Sequence, residues 1–174
     1  MVLDLADISG LDWTIQSQFS WRSGLVRNSS ERDKRARKAG LFIAVRAFKT
    51  NVPGKGVWVE VMPFVSQEDA EASVSKLFAT ARRNPKSEVT TIEIKVIDDL
   101  EVPGVRNTFV QEASTTGEIG NGAERSIAGS VDNIAFIVSC YYPGNEWPWG
   151  EVNSLATLQA EKIRTKIRSE SSPS

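Results

Sequence analysis

Apolar residues in this chain recur at helical spacing in two stretches; elsewhere they fall in short alternating runs, each closed by a turn. Alternation places successive side chains on opposite faces of a strand, whereas 3.6-residue spacing builds one stripe along a helix. A chain with many alternating runs and two helical stripes is expected to fold as α+β: a mostly antiparallel sheet of about six or seven strands with two main helices packed on it.

The runs come in a readable order. Trp13, Ile15, Phe19 and Trp21 alternate, with Ser17 interrupting, as in a half-buried strand. Residues 22–40 carry seven basic side chains against Glu31 and Asp33 and have no apolar stripe. A basic loop or short helix is expected there, with Gly40 as its stop. Leu41–Phe48 (LFIAVRAF) is apolar at nearly every position and reads as a central strand covered on both faces. Residues 51–56 are turn chemistry, and Val57–Val65 gives another strand with Pro63 near its end.

Ser66-Gln67-Glu68-Asp69 resembles a capping box, and Ala70, Val74, Leu77, Phe78 and Ala81 follow on one helical face. Asn84-Pro85 would stop that helix. Four strand-like segments come next: 89–98, 105–115, 125–131 and 134–142. Asp132-Asn133 between the last two predicts a type I′ hairpin, because both residue types tolerate positive φ. Val152, Leu155, Ala156, Ala160, Ile163 and Ile167 mark a final helix over about 151–168, and residues 169–174 read as a frayed tail. The 174 residues suit one domain with a core that needs no disulfide or metal.

This order of elements resembles the Mog1/PsbP-like α/β/α sandwich over residues 13–168. The resemblance rests on element order, so it assigns no site residue. It implies a small accessory or adaptor protein, or a lipoprotein-type domain. The lipobox cysteine of lipoprotein members has no counterpart here, since Cys140 falls within a strand.

Composition excludes much chemistry. The chain has no histidine, which removes Ser-His-Asp and Cys-His catalysis, histidine-ligated zinc and imidazole switching. With 21 basic against 22 acidic residues, a strongly basic nucleic-acid binder is not expected. Cys140 alone cannot form an intrachain disulfide, and a buried cysteine behaves as a small hydrophobe. Asp98, Asp99 and Glu101 lack the spacing of a calcium loop, and the 117–122 glycine loop lacks the following helix a phosphate loop needs. No cofactor or metal is expected. The first 13 residues hold three aspartates and no basic residue, and no apolar run reaches the ~20 residues of a membrane span. A cytoplasmic location is expected, or a secreted or lipid-anchored one if a leader has been removed.

Two segments are candidate partner surfaces. Residues 141–149 gather Tyr141, Tyr142, Trp147 and Trp149, which either form an aromatic binding platform or anchor the start of the last helix on the core. Arg32, Arg35, Arg37 and Lys38 form a basic patch suited to an acidic protein partner or simply a solvated face. A non-enzymatic protein-interaction or adaptor domain follows, with an apolar-ligand binder or a histidine-independent enzyme as alternatives. Homodimerisation through a sheet edge is a further option.

Overall fold

The computed structural model describes residues 1–8, 13–22, 31–81, 90–97, 100–117, 122–143 and 147–171. A short 3-10 turn (Leu5–Asp7) precedes β1 (Thr14–Arg22), α1 (Glu31–Lys38), β2 (Phe42–Lys49), β3 (Gly56–Pro63) and α2 (Gln67–Ala81). Then come β4 (Thr90–Val96), β5 (Arg106–Gly117), β6 (Gly122–Val131), β7 (Ile134–Pro143) and α3 (Trp149–Ser171). The strands form one seven-stranded sheet in the order β1-β2-β3-β7-β6-β5-β4, with every neighbouring pair antiparallel. The α+β expectation is met.

The helices occupy opposite faces. Val57, Val59 and Val61 of β3 and Phe136, Val138 and Cys140 of β7 share a fully buried cluster with Val152, Ala156, Ala160 and Ile163 of α3. The alternate residues Met62, Ala135, Ala128 and Phe109 pack on Ala70 and Val74 of α2 and Ala36 of α1. Strand β7 is therefore apolar at nearly every position because a helix covers each of its faces. The N-terminal segment joins the α3 layer: Leu3 is fully buried, and the fully buried Gln159 of α3 accepts from the Leu3 N–H at 3.0 Å and donates to the Met1 carbonyl at 2.8 Å.

Local chemistry sets the element ends. The Ser66 hydroxyl accepts the Asp69 N–H at 3.2 Å, capping α2. Gly40, at φ +73°, ends α1, with its own N–H bonded to the Arg37 carbonyl and the Leu41 N–H to the Ala36 carbonyl, each at 3.0 Å. That pair of bonds is a Schellman cap, which needs the left-handed conformation glycine adopts freely.

Four expectations are corrected. LFIAVRAF is not central: β2 lies second from an edge, with Val45, Ala47 and Phe48 buried and Phe42 46% exposed. β1 is an edge strand, and its alternation is broken by an irregularity between Ile15 and Ser17. Ile15 pairs with Phe48 and Phe19 with Val45, so the two point to opposite faces, and both are about 40% exposed. The Asp132-Asn133 turn has positive φ at Asp132 (50°) and not at Asn133, so it is not type I′. Asn133 is recruited elsewhere: its side-chain amide donates to the Phe64 carbonyl at 2.7 Å and its backbone carbonyl accepts the Phe64 N–H at 2.8 Å. Finally, α3 continues through Ser171, so residues 169–171 are helical rather than frayed.

Candidate binding groove

The segment leading into α3 is pinned to the sheet by one part-buried ion pair. Arg125 of β6 meets Glu112 of β5 at 2.7 Å, and its side chain is 12% exposed. The same guanidinium donates to the Trp147 carbonyl and lies 5.0 Å from the centre of the Trp149 ring. The Trp147 indole N–H in turn donates to the Tyr141 carbonyl at 3.1 Å. Trp147 is 6% exposed and sits in the core, whereas Tyr141, Tyr142 and Trp149 are half-buried.

Trp147 is also the back wall of a groove. Trp13 stacks on it at 6.0 Å between ring centres, with planes 28° apart. The Lys55 ammonium sits 4.9 Å from the Trp147 ring and 5.1 Å from Tyr142. Trp13, Trp147 and Lys55 border a cavity of about 380 Å³, completed by Ile8, Leu155 and Leu158 on the apolar side and by Asp7 and Glu151 on the polar side. Asp7 is tied to Lys162 at 2.5 Å, which leaves the Lys55 and Glu151 charges at the groove wall. Gly56 lets the β7 aromatics lie close to β3: a Cβ there would fall 2.4 Å from the Tyr141 hydroxyl. Burial, and then the nearby Glu124 charge, raises the Tyr141 pKa above its usual value.

The basic patch lies elsewhere. Helix α1 packs on the opposite face of the sheet, and Arg35 forms a two-pronged pair with the buried carboxylate of Asp69 in α2. That contact joins two helices. Arg37 and Lys38 are exposed, and the Arg32 side chain lies outside the described residues. The two candidate surfaces are therefore separate.

Other candidate chemistry is held apart. Cys140 is fully buried and burial pushes its thiol pKa far up, so no thiolate is presented. Glu60 on β3 is largely buried, which raises its carboxyl pKa, while a bond from the Trp58 indole opposes the shift. Glu112 belongs to the Arg125 pair. Asp98, Asp99 and the 118–121 loop lie outside the described residues, and Glu101 is exposed. Among the described residues no three acidic or thiol side chains converge as a metal site, and no helix is long and apolar enough to cross a membrane.

Sequence reasoning missed Trp13, Lys55, Ile8 and Leu158. Trp13 reads as a strand residue and Lys55 as part of a Gly-Lys-Gly turn, so neither carries a signal of its own.

No protein-family model and no curated protein matches this chain. Solved structures do. The extracellular domain of PknH from Mycobacterium tuberculosis superposes with a TM-score of 0.63 at 13% identity, over 94% of this chain and 93% of that one. An uncharacterised protein from Mycobacterium smegmatis, the Rv0999 ortholog, matches with a TM-score of 0.51 at 12% identity, over 90% and 91%. The first comparison corrects the cytoplasmic expectation. A fold shared over nearly the whole chain occurs in an extracellular domain, so the acidic composition of the first residues does not establish a cytoplasmic location.

Proposed function

We propose that this chain is a non-enzymatic recognition domain acting outside the cytoplasm, and that it meets a protein partner at the Trp13–Trp147–Lys55 groove. The observation that carries the reading is the groove's construction. A stacked tryptophan pair, with Trp147 buried in the core, stands beside an ammonium group and an apolar wall of Ile8, Leu155 and Leu158. Rigid aromatics with polar neighbours bind at small entropic cost, and an apolar anionic group would satisfy both the rings and Lys55. The likeness to an extracellular domain supports the location. A helix layer on each face of the sheet supports kinship with Mog1/PsbP-like sandwiches. The absence of histidine from the sequence and the burial of Cys140 support a non-enzymatic role.

A second reading, small-ligand binding, is favoured by the volume of about 380 Å³, which falls within the ~300–1,000 Å³ common for ligand sites. The test of the groove uses 8-anilinonaphthalene-1-sulfonate, an aromatic anion, titrated by its fluorescence. Saturable binding that is lost in Leu158→Glu at unchanged thermal stability supports the site. Equal binding by wild type and variant overturns it. Native mass spectrometry separates the readings: retained mass that disappears on denaturation selects the small ligand, and a bare chain selects the protein partner.

A further inference from the structure

Strand β1 closes one side of the sheet and has no strand beyond it among the described residues. It is nine residues long, Thr14–Arg22. Alternate residues of an edge strand turn both N–H and C=O away from the sheet, which makes the edge a template for a further strand. Natural sheets blunt such edges with charge, proline, a bulge or a cover. From Thr14 to Trp21 this strand has no charged residue and no proline. Ile15 and Phe19 point to opposite faces and both are exposed, so neither face of the strand is covered. The irregularity between Ile15 and Ser17 is a blunting device, but it sits near one end, and pairing with β2 is regular from Ser17 to Arg22. The other edge strand, β4, has Glu93 and Lys95 within its seven residues. The sequence guards that edge with charge and leaves β1 neutral.

The neutral edge is also apolar. Phe19 is 41% exposed and meets the Trp58 ring edge-on, with ring centres 5.9 Å apart. Phe42, on the neighbouring strand, is exposed as well. A depression of about 250 Å³ lies along the edge, bordered by Gln18 and Ser20 of β1, Ala44 of β2 and Val2. It gives room for the side chains of an added strand.

We infer that β1 is a self-association edge, through which two copies of this chain pair antiparallel about a two-fold axis and join their sheets into one. Neutrality selects a second copy as the occupant. An isologous pairing sets each side chain against another from the same strand, so like charges near the axis would meet. A charge-free strand is compatible with itself, and the side chains of Ser17, Gln18 and Ser20 each donate and accept hydrogen bonds. Paired residues of an antiparallel ladder share a face, so the axis passes at a residue rather than between two. An axis at Phe19 sets Phe19 against the Phe19 of the second copy, Gln18 against Ser20, and Ser17 against Trp21, all within the regular stretch. Pairing β1 of one copy with β4 of the next would instead be head-to-tail and open-ended, and the charges of β4 oppose it.

Sedimentation velocity of the full chain from about 1 μM to 1 mM tests the inference. A concentration-dependent shift from one 19.1 kDa chain to two is expected. The double variant Gln18→Lys, Ser20→Lys puts like charges across the seam at exposed positions. It should weaken the dimer about tenfold or more, with the melting temperature of the dilute protein unchanged. Mixing it with Gln18→Glu, Ser20→Glu should restore a dimer containing one chain of each, which fixes the register as well as the strand. A wild type that stays monomeric throughout overturns the inference. Species that grow beyond two overturn it in favour of head-to-tail pairing. A dimer indifferent to both charge variants overturns it as well, because association then uses another surface. If a variant fails to fold, amide exchange of wild-type Ser17–Trp21, expected to slow on going from dilute to concentrated protein, reads the same seam; equal exchange at both concentrations counts against it.

Discussion

Replacing Trp147 by alanine separates anchoring from recognition. The side chain is 6% exposed, stacks on Trp13, lies under Lys55 and donates its indole N–H to Tyr141. Truncating a buried aromatic costs about 3–5 kcal/mol, combining lost apolar transfer with the cavity left behind. The Arg125 bond to the Trp147 carbonyl survives, because it belongs to the backbone. Trp149 differs: it is half-buried, and its described polar contact is the Arg125 guanidinium 5.0 Å from its ring. Its truncation should cost about 1 kcal/mol. Urea unfolding followed by far-ultraviolet circular dichroism measures both without relying on the deleted fluorophore. With an m value of ~2 kcal/mol/M, Trp147→Ala should lower the midpoint by about 2 M and Trp149→Ala by about 0.5 M. In thermal melts the first should lose roughly 10 °C, at about 2–4 °C per kcal/mol for a chain of this size. A Trp147→Ala protein within 1 kcal/mol of wild type would refute the assignment of Trp147 to the core.

Two further perturbations test other parts of the fold. Gln159→Leu keeps the volume but strands the buried Leu3 N–H, at a cost of about 1–3 kcal/mol, and should release the N-terminal segment to limited proteolysis; unchanged proteolysis would show that other contacts hold it. Burial raises the Glu60 carboxyl above its ordinary value of 4.5, so the folded state prefers the protonated form. Its contribution to stability is therefore full below the unfolded value and is lost as pH rises through the folded one. Glu60→Gln should raise the melting temperature at pH 7 and leave it unchanged near pH 3.5, and equal shifts at both would refute the account.

How much could be read beforehand depended on how local each signal is. The strands and the α2 and α3 stripes were legible because alternation and 3.6-residue spacing are written within single segments, and Ser66 and Gly40 because caps are local. The rank of a strand within the sheet is not local. LFIAVRAF and IAFIVSCYY look alike in sequence, yet only the second lies between two helices. Nor could the irregularity at Ile15–Ser17 be placed, although Ser17 interrupts the alternation there. The groove was the least legible part. The 141–149 aromatics supplied its back wall, but Trp13, Lys55 and Leu158 come from the N-terminal flank, a turn and the last helix.

The strand order has a consequence for how the chain reaches this structure. β1–β3 and β4–β7 are each meanders of sequence neighbours, and the sheet becomes continuous only where β3 meets β7. Partners along that seam, from Pro63 with Ile134 to Gly56 with Tyr141, are 71 to 85 positions apart. Closing so long a loop is the chief entropic obstacle to assembly, and it comes before the burial that rewards it. Pairing within each meander is local, so the β3–β7 seam is the long-range step on which the sheet's continuity depends, and the N-terminal clasp on Gln159 and the α3 layer cover it.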